Sequence, residues 1–102
     1  MTVWHFVDDD AGYLDWLKQH PFGFVVNLRR SFDPDYVVLH CASCVSIQRY
    51  PKMKSEPGGF TERGYTKLCG ESLGSLEQEL ERFTTRPEPF SKRCSLCMPK
   101  SE

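Results

Sequence analysis

The sequence predicts an α+β fold, a small antiparallel sheet built around one β-hairpin and accompanied by two helices. Three observations carry that reading. "FGFVVNLRR" and "YVVLHC" are runs rich in β-branched residues, and the "SFDPD" between them has in Asp33-Pro34-Asp35 the chemistry of a turn. Leu73, Leu76, Leu80 and Phe83 recur at helical spacing and share one face. "DDDAGYLDWLKQHPFG" opens on residues that cap helices and closes on Pro21 and Gly23, which end them.

In chain order, "VWHFV" has the β-branched and aromatic content of a short strand. The helix that follows is capped by Asp8 or Asp9, and further acidic groups favour its positive end. Leu14 and Leu17 mark its buried stripe, with Tyr13 or Trp16 beside it. Helix capping also accounts for the three consecutive aspartates better than a cation site does. The hairpin spans 23–41. Residues 50–64, "YPKMKSEPGGFTERG", hold two prolines and three glycines and predict a long loop. "YTKLC" supplies a third short strand. The second helix starts at Ser72, or at a Ser75/Gln78 capping box, and "RPEPF" breaks it. Residues 98–102 form a tail.

At 102 residues the chain fits a single domain, and a core this small leaves a thin stability margin without a cross-link or an ion. The apolar and charged fractions, 39% and 26%, describe an ordinary soluble protein and exclude disordered and fibrous classes. No apolar run approaches the ~18 residues of a membrane span, and "MTVWHFVDDD" lacks the basic start and apolar middle of a signal peptide, so a cytoplasmic location is expected. In a reducing compartment five cysteines, an odd number, read as metal ligands rather than as disulfides.

Cys94 and Cys97 form a C-x-x-C pair, the spacing with which two thiolates from one tight turn take two corners of a zinc tetrahedron. The other two corners come from Cys41 with Cys44, a second C-x-x-C, or from His40 with Cys44. Spacing alone favours the four cysteines. Side chains alternate along a strand, however, so in "YVVLHCASC" only one of His40 and Cys41 reaches the ion comfortably. Such an ion, structural and single, would tie the end of the hairpin to the end of the chain. Cys69 reads as a small core residue. His5 and His20 have no partners in sequence and read as surface or capping residues.

A strand ending in H-x-x-x-C ("VVLHCASC"), a helix with a glutamate-rich face ("SLGSLEQELERF") and a basic residue before C-x-x-C ("KRCSLC") resemble the small zinc-binding domains related to the metal-binding N-terminal domain of the DNA-repair protein Ada. The resemblance covers roughly Tyr36 to Met98. Arg93 stands where the H-x-x-x-C relatives usually carry proline. Carried over position by position, it implies His40, Cys44, Cys94 and Cys97 as ligands, with Cys41 as the substitute for His40. It also implies company with DNA modification, restriction or repair.

Four protein ligands leave no open position for water or substrate, so zinc hydrolysis is not expected. The chain also lacks G-x-S-x-G, H-E-x-x-H and P-loop patterns, and a small-molecule substrate is not expected. The net charge of −1 gives no global reason to bind nucleic acid, but residues 29–67 carry seven basic and four acidic side chains. Arg29, Arg30, Arg49, Lys52, Lys54, Arg63 and Lys67 are therefore the candidate phosphate contacts, and double-stranded DNA the first candidate partner. Trp4, Phe6, Trp16, Phe22 and Phe24 read as core rather than as holders of an extruded base. Two other readings stand beside a non-enzymatic DNA-binding module: a zinc-thiolate methyl acceptor acting on DNA, and a small protein-interaction or phage-type accessory protein with a folding zinc.

Overall fold

The β-branched runs form the sheet and the two periodic segments pack on it. The computed structural model describes residues 3–44, 47, 61 and 64–94. In chain order these are β1 (Val3–Phe6), α1 (Asp10–Gln19), β2 (Phe24–Arg29), β3 (Val37–Cys41), β4 (Tyr65–Gly70), α2 (Leu73–Leu80) and β5 (Lys92–Arg93), and the strands are ordered β1-β4-β2-β3-β5. The fold is α+β, as the sequence predicts. The expectation of a wholly antiparallel sheet needs correction: β5 runs parallel to β3, pairing Val38 with Lys92 and Leu39 with Arg93. A strand of two residues is too short to leave an alternation pattern in the sequence.

The hairpin turn closes through its own aspartate. The Asp33 carbonyl accepts from the Tyr36 amide, and the Asp33 side chain accepts from the Asp35 amide at 2.9 Å. Antiparallel pairing then runs from Leu28 with Val37 to Phe24 with Cys41. β4 lies along the other edge of β2, so the hairpin occupies the middle of the sheet.

The three aspartates divide their work. Asp9 is the N-cap of α1 and accepts from the Gly12 amide at 2.9 Å. Asp10, buried, accepts from both the amide and the hydroxyl of Thr61 at 2.7 Å. Asp8, at φ 56° in the left-handed region that aspartate tolerates, binds Arg30 with both carboxylate oxygens, at 2.6 and 3.2 Å. Thr61 in turn accepts on its carbonyl from the Asp8 amide and from Arg30.

Alternation along the strands sorts the core into two layers. On one face Val25 and Cys69 pack with Tyr13, Trp16 and Leu17 of α1. Gly23 lets the chain pass here: a β-carbon on it would come within 2.8 Å of the Trp16 ring. On the other face Val26, Leu28, Val37, Leu39 and Leu68 pack with Leu73, Leu76 and Leu80 of α2 and with Phe90. Leu14 is only partly buried, because the stripe of α1 runs through Tyr13, Trp16 and Leu17 instead. Ser72 caps α2, accepting from the Ser75 amide, so the Ser75/Gln78 alternative does not form the cap. Phe83 lies beyond the end of α2, 40% exposed, and stacks on Phe32 with ring centres 5.2 Å apart.

Truncating a fully buried side chain of the α2 layer loses its transfer energy and leaves a cavity. Leu76→Ala is expected to cost about 2–5 kcal/mol in urea unfolding. Phe22→Ser, at a position 93% exposed, is expected to change stability by less than ~0.5 kcal/mol.

Candidate metal centre

His40 ends the run of buried residues in β3, opposite Val25, and so faces the α1 side of the sheet. Cys41, opposite Phe24, faces the other way and is half-buried. Immediately after β3 the chain turns, with the Cys44 amide donating to the Cys41 carbonyl at 3.0 Å. That turn returns Cys44 to the face of His40. The third member arrives from the far end of the sequence. β5 docks beside β3, and the amide of Cys94 donates to the Leu39 carbonyl at 2.8 Å, one residue before His40.

The donor atoms of His40, Cys44 and Cys94 all lie within 4.8 Å of one another, and all three residues are buried. The two sulfurs are 3.8 Å apart, far beyond the ~2.05 Å of a disulfide. A tetrahedral ion with metal–sulfur bonds of about 2.3 Å sets its sulfurs about 3.8 Å apart, the separation seen here. Burial, reinforced by the charges of Lys67 and Lys92, holds the His40 imidazole down to about 4. It is therefore neutral near pH 7 and keeps a lone pair for an ion. This group could hold a metal ion.

Of the residues singled out from the sequence, His40, Cys44 and Cys94 converge, whereas Cys41 points to the opposite face. Cys97, Arg49, Lys52, Lys54 and Arg63 lie outside the described residues, as does most of the 50–64 stretch. Cys69 is fully buried beside Tyr13 and Val25, and burial pushes its thiol well above the usual range. His20 caps α1 through its amide to Trp16 and stacks on that indole. His5 bonds Thr66 at 2.9 Å.

The remaining basic candidates behave differently from one another. Arg30 is engaged by Asp8 and the Thr61 carbonyl. Arg29 is half-exposed, with its guanidinium 4.8 Å from the Tyr36 ring centre and a looser approach of 3.9 Å to Asp33. Lys67 is only 4% exposed, and burial pushes its ammonium down to about 8 against the opposing pull of Cys69 and Asp10. Its Nζ donates to Asn27 Oδ1 at 2.6 Å, and Asn27 Nδ2 donates to the Tyr36 hydroxyl at 3.1 Å.

That polar chain was not legible as a unit in the sequence. Asn27 and Lys67 interrupt otherwise apolar strands, but only the register, which sets them directly opposite each other, shows that they meet.

Compared with protein-family models, curated proteins and solved structures, the chain shows no match.

A buried ammonium is costly to desolvate, and an apolar side chain of similar length fills the same space. The same change leaves the part-buried Asn27 Oδ1 without its donor, so Lys67→Met is expected to cost about 1–3 kcal/mol in urea unfolding; an unchanged or raised midpoint would show that relief of the buried charge outweighs the lost hydrogen bond.

Proposed function

We propose that the chain is a non-enzymatic binding module held together by one structural zinc ion at His40, Cys44, Cys94 and Cys97, and that its partner is DNA. The observation that carries the metal reading is the convergence of three buried nitrogen and sulfur donors, two of them at a tetrahedral separation. A mixed nitrogen and sulfur set favours zinc over harder ions. Cys97, three residues past Cys94, completes the set by its spacing. Bound there, zinc would supply cross-linking rather than catalysis, because four protein ligands fill the coordination shell.

The DNA reading is supported by the resemblance to Ada-related domains and by the exposed, weakly paired Arg29. Burial of Cys44 and Cys94 speaks against thiolates that accept methyl groups from a bulky substrate. Engagement of Arg30 by Asp8 and of Arg86 by Asp35, together with a net charge of −1, favours the protein-interaction reading as the second choice.

The purified reduced protein is expected to hold one zinc per chain and to lose structure in excess chelator. His40→Ala, Cys44→Ser and Cys94→Ser should each abolish stoichiometric binding, while Cys41→Ser keeps it. A fully folded, metal-free protein would overturn the reading. For the partner, affinity for duplex and single-stranded DNA is measured across a salt series. Phosphate contacts give a steep loss with salt, and a protein-only binder shows no association.

A further inference from the structure

The end of the sheet away from Cys44 and Cys94 carries a second constellation, on the face that bears His40. Cross-strand register sets Arg29 opposite Tyr65 and, one row further in, Asn27 opposite Lys67. Tyr36, just before β3, completes the group. Its ring centre lies 5.6 Å from that of Tyr65, and the Arg29 guanidinium stands 4.8 Å from the first and 5.8 Å from the second. Both rings are half-buried, and the Arg29 side chain is 50% exposed.

Beneath this layer is the chain from Lys67 through Asn27 to the Tyr36 hydroxyl. The lysine donor fixes which way the Asn27 amide points, with its oxygen toward Nζ and its NH₂ toward Tyr36. A buried ammonium contributes little to a core and costs desolvation. What it supplies here is orientation, since the hydroxyl of the half-buried Tyr36 is held by Asn27, which Lys67 holds in turn. Two aromatic rings inclined at 42° to each other and a half-exposed guanidinium, all on one sheet face, present the parts needed to stack a planar ring and meet its phosphate.

We propose that this end of the sheet binds single-stranded DNA, with an unpaired base stacking on the Arg29–Tyr36–Tyr65 layer and its phosphate paired to Arg29. The inference rests on the reading of DNA as the partner and sharpens it to the unpaired strand. Tyr36 and Tyr65 are the contact residues; Asn27 and Lys67 are positioning residues that act through Tyr36. The Asp33 carboxylate, 3.9 Å from Arg29, is the group a phosphate displaces.

The test uses the full zinc-loaded chain and a short fluorescein-labelled oligonucleotide, single-stranded or annealed to its complement, read by anisotropy. The single strand is expected to bind more tightly than the duplex. Tyr36→Leu and Tyr65→Leu should each weaken it roughly tenfold. Tyr65→Phe should retain affinity, whereas Tyr36→Phe, which loses the hydroxyl that Asn27 holds, should weaken binding as Lys67→Met does. Arg29→Ala, at an exposed position, should weaken binding and flatten its salt dependence. Lys67→Met, compared at full zinc content and below its own melting midpoint, should weaken single-strand binding as well. Duplex bound at least as tightly as single strand, or leucine variants with full zinc and an unaltered melting midpoint that bind like the parent, would overturn the stacking site. Salt-dependent duplex binding that ignores the rings overturns only this inference. Absence of binding to either form overturns both it and the DNA reading.

Discussion

The convergence of His40, Cys44 and Cys94 depends on the parallel docking of Ser91–Cys94 along the outer edge of β3. The contact is short but well anchored. The Ser91 amide donates to the Val37 carbonyl, the Ser91 hydroxyl accepts from the Val37 amide at 2.8 Å, and the Cys94 amide closes on Leu39. Phe90, immediately upstream, is buried in the α2 layer, and Arg93 lies over its ring at 5.4 Å. A two-residue strand has almost no stability of its own, so side-chain burial on one side and backbone pairing on the other must hold it. Holding it decides the site: Cys94 meets Cys44 although 50 positions separate them in sequence.

The two faces of the sheet follow different rules. The α2 face is built from leucine and valine, with the His5–Thr66 pair and the Phe32–Phe83 stack near it. The α1 face changes character along its length. It is apolar under Tyr13 and Trp16, carries His40 with its cysteine neighbours at one end, and carries Asn27, Lys67, Arg29 and two tyrosines toward the other. Polar groups on a buried face weaken a core unless they are satisfied: Lys67, Asn27 and Tyr36 satisfy one another, whereas Trp16 Nε1 is buried with no hydrogen-bond partner among the described residues.

How much of this was legible in the sequence depends on the range of the signal. The hairpin, both helices and the third strand follow from local period and turn chemistry, and the structure has each of them. Alternation, a property of neighbouring residues, puts His40 and Cys41 on opposite faces; which of the two faces Cys44 and Cys94 depends on the long-range pairing. Features that need register were hidden. β5 is too short for periodicity, Asn27 and Lys67 are 40 positions apart, and Asp10 finds its partner Thr61 at a distance of 51. Lys67 read as a surface cation because lysine is rarely buried, and Arg30 read as an unengaged phosphate contact because Asp8 lies 22 positions away.

The central position of the hairpin sets an order of assembly. Both strands that complete it are made later than the hairpin itself: β4 closes the free edge of β2, and β5 closes that of β3. During synthesis the β2–β3 pair therefore emerges with two naked edges. Of the described elements only β1 and α1 precede the pair, and β1 itself must wait for β4 to join the sheet. Long-range pairing of this kind folds slowly and leaves strands open to wrong partners in the interval. The strand that seals the edge of β3 and delivers Cys94 is made after the other four, so His40, Cys44 and Cys94 can come together only once β5 has been made.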